Sequence, residues 1–247
     1  DYYNKVIEAY KRIFNRLGIG EKTFVTFASG GAFTKFSHEF QTVCDAGEDV
    51  LYMNDAGTIA VNEEVLDDAS KEIGAKKDDL HKVKSAEVGN IFKFGTEKSE
   101  KMNIKFTDSD GVKKEVYLAS YGIGITRVMG VIVEMFGDDK GITWPHSIAP
   151  FAIHMLTLYK DKSDEAYKTS ENVYNKLRTA GAEVLWDDRE GYGAGEKFAD
   201  SDLLGMPIRV TISEKSLSAG GVELKDRKSG SVEIITVDQF LKSYTEE

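Results

Sequence analysis

One stretch constrains this chain more than any other: Ser120-Tyr121-Gly122-Ile123-Gly124-Ile125-Thr126-Arg127, where a strand-like run passes through two glycines into Ile125 to Phe136, a segment apolar on nearly every side. A helix without a polar face is expected to be buried. Glycines at its entrance let a ligand approach the backbone closely, although tight strand-to-helix packing needs them too. Arg127 sharpens the question. A cation in the first turn opposes the helix dipole at a cost of about 0.3–1 kcal/mol, and in so apolar a helix it needs a definite partner. That partner is Glu134 two turns on, another acid in the core, or an anionic ligand such as a nucleotide phosphate.

Two of the three prolines in the 247 residues fall between Gly141 and Phe151, and residues before proline avoid the helical region. The length suits two domains, and the boundary is placed here, giving domains 1–143 and 144–247. Upstream, Tyr3, Val6, Ile7, Tyr10, Ile13, Phe14 and Leu17 share one face of a first helix ended by Gly18. Strands are expected at 23–28 and 38–43, a polar helix around 62–73, and a strand at 116–121. Downstream the pattern reads strand 152–159, helix 163–180 with Ser163 as N-cap, strand 183–187, short helix 196–204, strands 207–213, 221–226 and 231–237, and helix 238–244. Strand, helix, strand implies a parallel pair with a right-handed crossover. The fold class is therefore α/β (α+β), the second part a small mixed α/β domain.

A net charge of -10 and a pI near 5.1 exclude a protein that grips nucleic acid through its overall field, so any RNA contact is local. Cys44 is the only cysteine, which excludes an internal disulfide and suits a reducing compartment; it reads as a small buried hydrophobe. No apolar run approaches the roughly 20 residues of a bilayer span, and no signal segment opens the chain, so a cytoplasmic location is expected. The chain starts at Asp1 and is helical at once, so preceding sequence is expected to be missing. Lys71 to Lys105 holds nine lysines against six acids, which reads as a solvated face.

The glycine-rich strand end, Arg127 and the apolar helix resemble motif 3 of class II aminoacyl-tRNA synthetases. The resemblance implies an antiparallel-sheet catalytic core in which Arg127 is the catalytic, ATP-contacting residue, with Thr126 and Gly124 beside it. Gly30-Gly31-Ala32-Phe33-Thr34-Lys35-Phe36-Ser37-His38-Glu39-Phe40 resembles the paired-glycine, Ser-His-Glu-Phe segment of bacterial prolyl-tRNA synthetases. It implies a proline pocket lined by His38, with Ser120 on its other side and Phe36 and Gly122 completing the wall. Glu39 alternates with His38 along the strand, so the two side chains point to opposite faces and do not form one acid/base pair. Ser85 to Gly95 is similar to the family's segment before motif 3 and reads as framework, with Lys93 a surface charge.

Asp187-Asp188-Arg189 and Gly195 to Pro207 resemble the anticodon-binding domain shared by the prolyl, threonyl, histidyl and glycyl enzymes. Splayed-out bases are read by hydrogen bonds to their edges and by stacking, and the resemblance implies that Asp188, Arg189, Glu196 and Lys197 supply them. Surface ion pairs around a glycine loop are the plainer account of the same four residues. Lys225, Arg227 and Lys228 form a basic edge that follows an RNA backbone or is an ordinary solvated hairpin.

The family's motifs 1 and 2 are absent, and Phe40 to Ser120 is too short for a large editing domain. What the resemblance implies is a proline–tRNA ligase fragment with proline, ATP with Mg²⁺, and tRNA(Pro) as substrates, no protein-bound metal, and a homodimeric whole, the fragment being inactive alone. The alternative is a synthetase-like module that has lost catalysis and holds nucleic acid or acts as an accessory.

Overall fold

A computed structural model describes residues 1–29 and 36–245. The Gly30-Gly31 pair and the Thr34-Lys35 that follow lie outside the described residues, as does the Phe36 side chain. Contacts divide the chain into two compact units, Asp1–Met135 and Phe136–Glu247.

The first unit opens with α1 (Tyr2–Arg16), which gives way to Gly18 at φ 79, a left-handed position that favours glycine. β1 (Thr23–Ser29) and β2 (Phe36–Val43) pair antiparallel. β3 (Asp49–Met53) and β4 (Ala60–Asn62) form a hairpin. Its turn is held by the Asn54 carboxamide, which accepts the N–H of Thr58 and Ile59 at 3.0 and 3.1 Å. After α2 (Leu66–Ile73) comes β5 (His81–Gly95), the longest strand at 15 residues. Ser85 of β5 faces both Val43 of β2 and Asp49 of β3, so those strands take opposite edges of β5. Since β1 also pairs with β4, the first five strands close into a ring.

α3 (Glu97–Met102) and the hairpin of β6 (Lys105–Thr107) and β7 (Lys113–Glu115) precede β8 (Leu118–Ile123), which pairs with the far half of β5. The lysine-rich stretch is a solvated face: Lys82 meets Glu63 at 2.8 Å, Lys101 meets Glu97 at 2.6 Å, and Lys105 meets Glu115 at 2.9 Å.

β8 runs into α4 (Ile125–Phe136). The expectation that this helix is buried all round is not met. Val128, Val131 and Ile132 are buried, but Ile125, Met129 and Val133 are 74, 58 and 52% exposed. The described residues cover one side of the helix and supply no second layer for the other.

The second unit begins with the short pair β9 (Gly137–Asp138) and β10 (Gly141–Ile142). Then follow β11 (Ile153–Leu158), α5 (Glu165–Thr179), β12 (Val184–Asp187), α6 (Ala194–Leu204), β13 (Ile208–Ser213), α7 (Glu214–Ser218), β14 (Val222–Asp226), β15 (Val232–Ile235) and α8 (Val237–Thr245). The sheet order is β12-β11-β13-β14-β15, with β12, β11 and β13 parallel and the rest antiparallel. Ile153, Met155, Val173, Leu177, Val210, Ile212 and Phe240 form its core. The N-cap of α5 is Asp164 rather than Ser163; its carboxylate turns back to accept the N–H of Lys160 and Asp161. The sequence pattern also passes over α7. Five residues show no periodicity, but Ser213 and Ser216 exchange side-chain and backbone hydrogen bonds in a capping box.

Residues 137–144 are bound into the second unit. Trp144 donates its backbone N–H to Gly205 and its indole N–H to Leu204 at 3.1 and 3.0 Å. Gly205 has φ 70, and a Cβ there would lie 1.8 Å from the Ile142 carbonyl oxygen, so that close approach needs glycine.

Candidate functional site

In the first unit, strand register sorts the expected pocket residues onto two faces. His38 is opposite Phe27 and Ile91, and Ile91 is opposite Tyr121. α1 lies on this face, with Tyr10 and Phe14 ring centroids 4.7 and 5.4 Å from Phe40. The Tyr3 hydroxyl shares a 2.9 Å hydrogen bond with His38 Nδ1 and donates to the Ile91 carbonyl at 3.3 Å. Burial holds the His38 imidazole below its usual range. It pushes the Tyr3 phenol up to about 12, with Tyr121 adding to the rise. His38 is therefore a neutral ring packed among aromatics.

Glu39, by contrast, is opposite Asn90, Asn90 is opposite Gly122, and Phe92 is opposite Ser120. Residues opposite each other share a face of the sheet, so Ser120 and Gly122 stand with Glu39. His38 and Ser120 do not line one pocket, a correction that follows from strand alternation. The placement of the Phe36 side chain lies outside the described residues.

A β-bulge builds the polar face. Phe40 pairs with Gly89 but Gln41 pairs with Glu87, so Val88 is the extra residue of β5. Bulges re-aim side chains, and this one brings Glu87 and Ser85 round to the face of Glu39 and Gln41. The Gln41 amide donates to Glu39 and Asp49 at 2.9 and 2.7 Å and accepts from the Ser85 hydroxyl at 2.9 Å. Asn90 donates to the Glu87 carboxylate at 2.8 Å. The bulged residue's carbonyl accepts the N–H of Gly124 at 3.0 Å, which fixes the entrance of α4. Glu87, read from sequence as framework, belongs to this site, as do Glu39, Gln41 and Asn90. The i, i+2 spacing of Glu39 and Gln41 was the available signal.

Arg127 finds its partner here. Its Nη1 donates to the Glu87 carbonyl at 2.9 Å and the Glu87 carboxylate at 3.3 Å, and its side chain stays 52% exposed. Arg127 and Glu87 line a cavity of about 350 Å³ together with Cys44, Glu48, Asp49 and Glu134. Cys44 is half-buried, and burial, with Glu134 nearby, pushes its thiol up. Glu39 is raised to about 7 by burial, against the lowering bond from Gln41, and by Glu87, Asp49 and Glu64 around it. The face thus holds more carboxylate than its one guanidinium balances. Thr126 and Gly124 are exposed at the same helix start.

In the second unit, the carboxyl ends of the parallel strands β11 and β13 open on a crevice of about 830 Å³ lined by Tyr159, Lys160, Glu165, Tyr192, Glu214 and Leu217. Open α/β sheets bind ligands at such an edge. Asp188 and Glu196 are exposed, and the Asp188 carbonyl accepts the hydroxyl of Tyr159, which lines the crevice, at 2.7 Å. Arg189 is gripped by Asp187 at 3.0 and 2.8 Å and by Asp200 at 2.7 Å, with the Tyr192 ring 4.3 Å away.

Lys197 does not stand at this surface. It is 1% exposed, and its ammonium donates to the carbonyls of Thr157 and Asp187 at 2.9 and 3.3 Å. Burial lowers its pKa, with Asp187 opposing the shift. An ammonium so enclosed offers nothing to a base edge; it ties α6 to the ends of β11 and β12. Of the basic edge, Lys228 is exposed while Arg227 and Lys225 are engaged within the unit. Arg227 forms a two-bond pair with Asp138 at 2.7 and 2.8 Å, and Lys225 donates to Asp202 at 2.9 Å.

Residues 1–136 match the tRNA synthetase class II core domain (G, H, P, S and T), and residues 148–247 match an anticodon binding domain. The chain is similar to the proline–tRNA ligase of Wolbachia sp. subsp. Brugia malayi, 35% identical over 259 residues that cover 98% of this chain and 59% of that protein. It is 33% identical to that of Agrobacterium fabrum over 263 residues, covering 96% of this chain and 59% of that protein. Over 154 residues, 62% of the chain and 27% of the relative, it is 45% identical to that of Bacillus mycoides. The chain therefore spans about 59% of the length of the relatives it matches end to end. Among the described residues no helix is long and apolar enough to cross a membrane, and no group of three or more His, Cys, Asp or Glu could hold a metal ion.

Proposed function

The chain belongs to the class II aminoacyl-tRNA synthetases, in their prolyl branch, and on that premise we propose that it supplies part of the activation site and the anticodon-reading module of a proline–tRNA ligase. In that reaction a proline carboxylate oxygen attacks the α-phosphate of ATP and pyrophosphate leaves. The terminal ribose hydroxyl of tRNA(Pro) then attacks the acyl carbon and releases AMP. Neither step needs a covalent enzyme intermediate, so catalysis rests on positioning and charge stabilisation.

The observation that carries this reading is the polar face, where Arg127 stands at the entrance of α4 beside Glu87 and over the strand that presents Ser120 and Gly122. Arg127 meets phosphate oxygens there, Thr126 and Gly124 border the nucleotide, and Ser120 and Gly122 border the proline ring. Gly122 keeps that wall shallow, since a Cβ would come within 3.2 Å of Asn90 Oδ1. The surplus of carboxylate suits substrates that bring positive charge, namely the secondary ammonium of proline and the Mg²⁺ that accompanies ATP. His38 acts from the opposite face by holding α1 through Tyr3. Asp188, Arg189 and Glu196 serve the anticodon at the crevice of the second unit. A homodimer in the cytoplasm is the setting that the family resemblance implies.

The test is proline-dependent ATP–pyrophosphate exchange by a protein that carries this chain together with the segments its relatives place outside it. Proline is expected to drive exchange best; faster exchange with alanine, threonine or histidine would overturn the assignment.

A further inference from the structure

The chain leaves α4 at Phe136 and enters β9 at Gly137 with no residue between them. What it enters is a short hairpin held at several points. The Thr143 N–H donates to the Phe136 carbonyl at 2.8 Å, so the hairpin itself closes the last turn of the helix. Asp138 of β9 is opposite Gly141 of β10, and its carboxylate accepts the N–H of Lys140 and Gly141 at 2.8 and 3.0 Å. Both carboxylate oxygens also take the Arg227 fork, at 2.7 and 2.8 Å. Arg227 is 7% exposed and donates again to the Asp202 carbonyl at 3.3 and 3.2 Å. The guanidinium holds the Asp138 carboxyl well below the usual carboxylate range. β10 lies so close to α6 that a Cβ at Gly141 would come within 2.4 Å of Leu203 Cα. A two-bond arginine–carboxylate pair fixes orientation as well as distance, so the exit of α4 is anchored in direction, not merely tethered.

We propose, resting on the activation-site reading above, that Asp138 and Arg227 are positioning residues for Arg127 and act along α4. Arg127 stands nine residues before Phe136, about 14 Å along a helix that rises about 1.5 Å per residue. The helix contains no proline, so a tilt at its end is carried to its first turn rather than absorbed by a kink. Among the described residues packing holds it along one side, through Val128, Val131 and Ile132. At its start the Val88 carbonyl takes the Gly124 N–H; at its end the anchored hairpin supplies the second fixed point. Two fixed points aim the Arg127 guanidinium at the phosphates of ATP. Releasing the far one leaves the arginine present but misaimed, and a displacement of about 1 Å at such a group costs up to about 100-fold in rate.

The test is a double-mutant cycle, read as proline-dependent ATP–pyrophosphate exchange by a protein that carries this chain together with the segments its relatives place outside it. Asp138→Asn keeps the shape of the side chain and removes the charge that grips the fork. It is expected to lower kcat about tenfold, with KM for ATP and for proline within about twofold of the parent. In an Arg127→Ala background the same substitution is expected to cost less than about twofold, because the group it aims is gone. Arg227→Lys, which keeps the charge and loses the fork, carries the same comparison if the asparagine variant does not fold. An equal loss in both backgrounds overturns the positioning role and marks the pair as framework alone. Full kcat in the single variants, or a raised KM with kcat unchanged, overturns it as well, and each of these results leaves the activation-site reading intact. If the unsubstituted protein shows no amino-acid-dependent exchange, that reading falls and the positioning role with it.

Discussion

Charge is arranged in opposite ways in the two units. On the polar face of the first, Glu39, Glu48, Asp49, Glu87 and Glu134 gather near a single guanidinium, and Arg127 remains half exposed. Beneath α6 in the second, the buried cations each meet an acid: Lys197 with Asp187 at 3.5 Å, Arg209 with Asp202 at 3.4 Å, Arg227 with Asp138 at 2.7 Å. Matched and enclosed charge is architecture, because breaking such a pair strands its partner away from water. Unmatched charge around an exposed arginine suits the ligand role proposed for that face, where substrates would bring their own counter-charge. A basic residue's type therefore says little about its role; its enclosure says more.

The strongest attack on this contrast is a pair of substitutions. Arg127→Ala should lower proline-dependent exchange by about 100- to 1000-fold, the scale of losing a charge-stabilising donor. It should shift the unfolding free energy of the chain by less than about 1 kcal/mol, since its ion pair is half exposed. Lys197→Ala should do the reverse, destabilising the second unit by about 3–4 kcal/mol in urea titrations. If Arg127→Ala unfolded the chain, or Lys197→Ala left the urea midpoint in place, the division between ligand-facing and architectural cations would fail.

Opposite pH slopes give a finer test. Glu39, raised to about 7 from an ordinary 4.5 chiefly by burial, keeps in the native state a proton that the unfolded chain releases. Its contribution to stability is present at low pH and is lost as pH rises between those values. His154, lowered to about 4 from 6.5 by burial, refuses a proton that the unfolded chain accepts, so its contribution grows as pH rises through that window. Melting temperatures across pH 4–8 should show Glu39→Gln removing a decline and His154→Gln removing a rise, each worth about 1–3 kcal/mol. Identical slopes in either variant and the parent would mean that the group is not held as described. The smallest effect is expected at Val133→Ser on the uncovered side of α4, within about 0.5 kcal/mol for this chain; a larger loss would show that side to be packed after all.

Much of the second unit was legible in the sequence because its elements are punctuated. Gly181 follows the last turn of α5, and alternating strand and helix imply a parallel sheet whatever the exact ends. What escaped was burial. Lys197 looks like a surface lysine in a polar helix, and only the fold shows that it and Ser201, four residues apart, turn inward while Glu196 turns out. In the first unit, alternation separated Glu39 from His38, but which of the two faced Ser120 depended on partner strands some 50 and 80 residues away in sequence. The all-apolar α4 misled for a related reason: hydrophobicity on every side reports what a helix can pack against, and the described residues supply only one of those neighbours.

The bulge at Val88 has a consequence for length rather than composition. Val88 is itself fully buried, so an exchange there is felt only as packing, whereas its backbone supplies a carbonyl for Gly124 and one extra step in β5. Removing it would send the residues before it, Glu87 and Ser85, to the side where α1 lies, and would carry Arg127's anchor with them. The site is thus indexed by a count of residues. Natural variants of this segment should tolerate conservative exchanges far better than single-residue deletions.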